Sequence, residues 1–234
     1  MKRCKTHVLY VCVVLLTAVP AFCQRITLGV DAGQTSDKFG AFSSTTALVW
    51  GIDGQAIVLK ANEKKGGPDI VAGGEMIVPS DSQNHATEYA LYGGPVFKIR
   101  AFSIGVNAQI RKIILPPAVE GTQVLNRDKM ELLELPVTIK YNFGPGKNAF
   151  VQAQGAPEFN PRFRHGSPNP FSLPTPNLDH GYFLRGTVGY NFGRWYAKAS
   201  YETRYFKFAP NSGNPNGVYN WRTDRILGGV GFSF

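Results

Sequence analysis

The chain has 234 residues, enough for one barrel-sized domain or two small ones, and its composition argues against a helical protein. Aromatic residues make up 12% of it and charged residues only 18%, while 26 glycines and 16 prolines supply turns for many short strands. The formal net charge is +9, but the bases are scattered and no nucleic-acid-binding motif accompanies them; the excess is read as attraction to anionic lipid head groups, with no nucleic acid among the partners.

The first element is a leader. Lys2, Arg3 and Lys5 form a basic start, residues 8–19 are an apolar run of signal-peptide length, and Pro20 breaks it. Ala21 and Cys23 place small residues at −3 and −1 for cleavage before Gln24. The run is too short for a membrane-spanning helix. A lipid-modified Cys23 is the alternative, but Phe22 stands where a lipobox needs a small residue. The domain reading is therefore 1–23 signal peptide and 24–234 mature domain. All three cysteines, Cys4, Cys12 and Cys23, fall in the leader, which excludes disulfides, thiolate metal sites and cysteine nucleophiles from the mature chain. The leader holds no acid, so its loss lowers the net charge to +6.

Beyond residue 23 the chain is patterned in segments of about ten residues that alternate apolar with polar or small side chains, the period-2 signature of strands with one greasy face. Membrane barrel strands need about 9–11 residues with apolar outward positions. Eight segments qualify, in chain order 26–33, 87–97, 102–112, 131–143, 149–159, 182–192, 195–206 and 225–234. The clearest is 131–143, where Leu133, Leu135, Val137, Ile139, Tyr141 and Phe143 face opposite Glu134, Thr138, Lys140 and Asn142.

The connections carry as much information as the strands. Short links at 98–101, 144–147 and 193–194 alternate with long ones at 34–86, 113–130, 160–181 and 207–224. A soluble meander has no reason to gather its long loops at one end, whereas an outer-membrane barrel keeps short turns periplasmic and long loops outside. Both termini then lie on the periplasmic side. Phe97, Phe102, Tyr141, Phe143, Phe192, Trp195 and Phe234 fall at the inner rim, and Tyr89, Phe159, Tyr182, Phe183, Tyr205 and Phe208 toward the outer one, as two aromatic girdles would.

The stretches GVDAG, YALYGGPVFKI, LELPVTIKYNFG, GYFLRGTVGYNFG and RILGGVGFSF together resemble the small bacterial outer-membrane β-barrel domain family, with the architecture of the OmpA-type barrels. The resemblance spans the mature chain apart from its long loops. It implies a bacterial outer-membrane protein, and it implies that Gly228, Phe232 and the terminal Phe234 form the signal read by the barrel-assembly machinery. The expected fold is all-β, an antiparallel up-and-down transmembrane β-barrel of 8 strands.

The first loop is long for that family. It holds apolar stretches at 45–50, 56–61 and 70–78, with Asp53-Gly54 as a plausible tight turn between the first two. One reading is a β-ribbon standing above the membrane; the other is two more barrel strands, making ten. The ribbon is the expectation carried forward.

The alternation places the acids Asp31, Glu88, Glu134, Glu158 and Glu202 and the bases Arg111, Lys140, Arg185, Lys198 and Arg204 inside the barrel. Buried charges must be paired, so the expectation is a salt-bridged plug, with a narrow ion path as the rival. The mature histidines, His85, His165 and His180, sit in or beside the long loops and are read as solvated surface residues. No Ser or Asp stands at a spacing that would make any of them catalytic, and no ligand spacing supports a metal site. The proline-rich loops (Pro161, Pro168, Pro170, Pro174 and Pro176, then Pro210 and Pro215) are stiffened and poor in ladder donors. The functional expectation is a monomeric, non-enzymatic membrane barrel without cofactor and with a structural or surface-interaction role. A narrow channel or small-solute transporter is the alternative, and a lipid-acting enzyme comes third.

Overall fold

The computed structural model describes residues 25–39, 45–61, 67–82, 84–114, 119–120, 123–124, 129–164, 177–209 and 220–234. The leader and its cleavage site, His165, and all the loop prolines except Pro161 lie outside these residues.

The described residues form fourteen strands: β1 (Arg25–Phe39), β2 (Thr45–Leu59), β3 (Asp69–Pro79), β4 (Thr87–Ile99), β5 (Phe102–Val106), β6 (Ala108–Ile114), β7 (Val119–Glu120), β8 (Gln123–Val124), β9 (Lys129–Glu134), β10 (Val137–Phe143), β11 (Ala149–Arg164), β12 (Asn177–Phe192), β13 (Trp195–Ala209) and β14 (Asn220–Ser233). Twelve of these strands pair antiparallel with their neighbours into one closed sheet, and β1 closes on β14 in an unbroken register from Thr27↔Ser233 to Phe39↔Trp221. Closure leaves no unpaired sheet edge, the one arrangement that satisfies every backbone group of a sheet without water.

Two barrel strands are interrupted at one level. β5 and β6 are halves of one strand, broken at Asn107; β9 and β10 are halves of the next, broken at Leu135–Pro136. Pro136 has no N–H to give to the ladder, and its carbonyl accepts the Asn107 N–H at 3.1 Å. The barrel therefore has ten strands, with β7–β8 a separate small hairpin between the fifth and the sixth.

The eight-strand expectation is corrected by this count. β2 and β3 are full barrel strands inserted between β1 and β4, so the region 34–86 is not one outer loop. β1 runs on to Phe39, and Asp53-Gly54 lies in the middle of β2 opposite Leu28 and Gly29 rather than in a turn. The physical reason is that β2 and β3 put apolar residues on both faces. Val49, Val71 and Ile77 are buried inside, where Leu227 joins Val49 and Ile77, while Leu48, Trp50 and Ile52 point outward. That mixture hides the period-2 signal. The other three loops are shorter than expected because the strands continue beyond their alternating cores, leaving 115–128, 165–176 and 210–219.

The strand ends at Arg25, Leu59, Asp69, Ile99, Phe102, Phe143, Ala149, Phe192, Trp195 and Ser233 share one rim, here the terminal rim; the opposite ends of the barrel strands share the other, here the loop rim. Two of the terminal-rim turns are tight and use a positive φ, at Arg100 (58°) and Gly193 (69°).

The outer surface is apolar. Leu28, Val30, Leu91, Ile110, Val137, Ile139, Leu184, Val188, Ile226 and Val230 are all exposed there. Of the expected terminal-rim aromatics, Phe97, Phe102, Tyr141, Phe143, Phe192, Trp195 and Phe234 are exposed as well. Phe102 and Tyr141 are in contact at 4.6 Å between ring centroids, and Phe232 bridges Trp195 and Phe234. Tyr89, Tyr182, Tyr201 and Tyr205 stand outside toward the loop rim. Phe183 does not join them. It has the parity of Arg185 and is fully buried in the lumen.

Candidate functional site

The lumen is stacked in three layers. The middle one is a charge network assembled from eight of the ten strands. Arg111 on β6 reaches Glu75 at 2.6 Å, Glu88 at 2.9 Å and Glu134 at 3.3 Å. Arg204 on β13 is held by Glu134 at 2.5 Å and by Glu158 of β11. Arg225 on β14 binds Glu202 at 2.7 Å and also Glu88. Arg185 on β12 bridges Glu75 at 2.9 Å and Glu202 at 2.5 Å. Gln109 donates to Glu134 as well.

Phe183 lies at the centre, with the guanidinium carbons of Arg204, Arg185 and Arg111 at 4.7, 5.3 and 5.6 Å from its ring centroid. The ring face carries negative charge density, so it spaces three cations that would otherwise repel one another. Each carboxylate of the network faces at least one guanidinium, the condition under which buried charges are tolerated.

Toward the loop rim an apolar layer caps this network. Ala86, Ile113, Met130, Leu132, Phe206 and Trp221 pack together, with the Phe206 and Trp221 rings stacked at 5.2 Å and 12°. Above it Asp37 is fully enclosed and accepts from Trp221 Nε1 at 3.3 Å and from Thr223 Oγ1. His85 Nδ1 pairs with Asp37 at 2.7 Å. The expectation of a solvated His85 is thus corrected: it is buried and serves as a strut between the 80–86 connection and β1. His180 is exposed beside Asp179 at 3.1 Å.

Toward the terminal rim the lumen widens into a cavity of about 390 Å³. Here Lys198 pairs with Asp53 at 2.6 Å and with Asp31 at 3.1 Å, and Lys98 with Asp69 at 2.5 Å. Lys140 sits over the Phe150 ring, 4.0 Å from its centroid.

Asp31, Lys198 and Lys140 belong to the terminal cavity; Glu88, Arg111, Glu134, Glu158, Arg185, Glu202 and Arg204 belong to the middle network. The sequence reading missed Glu75, Asp53 and Asp37, which fell in what was taken for a loop. It also missed Arg225, although the signal was present: Arg225 shares parity with Gly229, Gly231 and Ser233 against outward Ile226 and Val230. Gly228 and Phe234 lie on the outer face of β14, and Phe232 packs between Trp195 and Phe234.

No family model and no curated protein matches the chain. Solved structures do. The chain is similar to the outer membrane protease OmpT from Escherichia coli, at 10% identity over 90% of this chain and 97% of that one, with a TM-score of 0.55. It also matches Neisserial surface protein A at 11% identity over 89% and 97% of the two chains, with a TM-score of 0.41. At such identities the likeness is one of fold, and together with the closed sheet and the apolar exterior it leads to one statement: the chain has the fold of the bacterial outer-membrane β-barrels.

Proposed function

We propose that this protein is an integral outer-membrane barrel whose lumen is sealed by the middle charge network, and that its role is structural or interactive at the cell surface rather than catalytic or conductive. The observation that carries the sealing is the burial of Arg111, Arg204, Arg225, Glu88, Glu134 and Glu202, each at 1% exposure or less. An ion entering from the terminal cavity meets paired charges spanning the lumen and then an apolar layer, so passage requires breaking several buried ion pairs at once.

The membrane assignment is supported by the band of exposed outward apolar side chains and by aromatics toward both rims. Under this reading the partners are outer-membrane lipids and, during biogenesis, the barrel-assembly machinery acting on Gly228, Phe232 and Phe234. The barrel works as a monomer. His85, the described histidine best oriented by a carboxylate, is too enclosed to act on a substrate, which favours a non-enzymatic role.

The test is single-channel recording of the refolded mature chain in a planar bilayer, with insertion verified by protease protection. Silence across the voltage range is expected. Discrete conductance steps that change in Arg185→Gln would overturn the sealed lumen and assign a channel instead.

A further inference from the structure

We propose that the terminal cavity is a binding site for a small oxyanion, such as a phosphate or a phosphate monoester, held between Arg25 and Lys140. The inference needs the barrel fold but not the sealed lumen.

The charges of the cavity do not cancel in place. Lys198 is taken by Asp31 and Asp53, Lys98 by Asp69, and Arg185 by Glu75. Two cations on the walls are left over. Arg25 makes one long contact to Ser233 Oγ, at 3.4 Å, and Lys140 has the Phe150 ring; neither has a carboxylate among the described residues. Arg25 begins the first barrel strand and Lys140 lies on the sixth, so they stand on opposite walls of the same space. Lys140 is flanked in register by Gln152 on one side and Ser103 on the other, both of which also line the cavity.

A partly desolvated ammonium without a counter-charge is costly. An anion between the two cations removes that cost, and Gln152 and Ser103 add neutral donors to its oxygens. At roughly 30 Å³ of liquid volume per water, the cavity holds on the order of ten waters or a ligand of similar heavy-atom count. Access is from the terminal rim, where the exposed Arg25 and Lys98 form part of the wall.

The experiment is isothermal titration calorimetry on the refolded mature chain in detergent micelles, after a heat-modifiable gel shift has verified the barrel. D-glucose 6-phosphate, inorganic phosphate and D-glucose are titrated in turn. Saturable binding of the sugar phosphate and of inorganic phosphate, and none of glucose, is expected. Lys140→Gln should weaken the sugar phosphate tenfold or more, Lys140→Arg should retain most of the affinity, and Lys207→Gln at the loop rim should change nothing. Arg25→Gln, at an exposed position, makes the same measurement if Lys140→Gln fails to fold. No saturable heat, or an affinity indifferent to both Lys140→Gln and Arg25→Gln, overturns the site. Saturable binding of D-glucose with the affinity of the sugar phosphate overturns the requirement for an anion. Conductance recordings address sealing independently, so the two proposals fail separately.

Discussion

Arg204 shows how much one side chain can be asked to neutralise. It faces Glu134 and Glu158 and stacks on Phe183, with no solvent at any of these contacts. Glu134 also has Arg111, but among the described residues the cation paired with Glu158 is Arg204, its other near neighbour being the carboxyl of Glu134. Replacing Arg204 with Met keeps much of the volume and strands a buried carboxylate, which costs about 3–5 kcal/mol. Urea unfolding of Arg204→Met in lipid vesicles should show a loss of that order, and Arg204→Met with Glu158→Gln should recover part of it. A single variant as stable as the parent would mean that the network does not hold the barrel together. Of the seven network residues named from alternation, Arg111, Glu134, Arg185, Glu202 and Arg204 were legible because β6, β9, β12 and β13 alternate most cleanly, while Glu88 on β4 and Glu158 on β11 belong to segments that alternate less cleanly. His85 was not legible, because its burial comes from Asp37, 48 positions away in the chain, and from the rings that cap the lumen.

At the scale of elements, β2 and β3 decide the diameter. Glu75 on β3 joins Arg111 and Arg185, and Asp53 on β2 completes the Lys198 site. An eight-stranded barrel has an interior just wide enough to be filled by ordinary side chains. This lumen must hold Phe183 with three arginines around it as well as an open cavity. Deleting residues 45–79, which would leave the eight strands first read from the sequence, should therefore give no heat-modifiable monomer in detergent; a compact, heat-modifiable product would show that the two strands are dispensable. These strands were misread for a physical reason. Inward Val49, Val71 and Ile77 and outward Gly54, Ala72 and Gly74 reverse the usual contrast between faces, so periodicity cannot show which side meets lipid. The remaining strands were legible because over the middle of their length polar or small residues alternate with large outward apolar ones; large inward side chains such as Leu132, Phe206 and Trp221 sit near the loop rim, and the strand ends were underestimated because pairing continues past the apolar belt.

For the whole molecule, the three tryptophans report on the two sides of the wall. Trp50 and Trp195 face outward with 60% and 57% of their surface free, whereas Trp221 is 3% exposed inside the lumen. In single-tryptophan variants reconstituted with brominated acyl chains, Trp50 and Trp195 should be quenched and Trp221 should not. Quenching of Trp221 alone would invert the barrel and refute the membrane reading. The class of the molecule was determined by the sequence itself: strand-length alternation, loops gathered at one end and inward charges at period 2 are local properties that a single chain displays without its partners in space. Strand number, the apolar cap, the enclosure of His85 and the division of the lumen into a paired network and an open cavity were decided only by closure. They depend on which strands end up opposite one another around the ring, and that is a property of the circumference rather than of any segment.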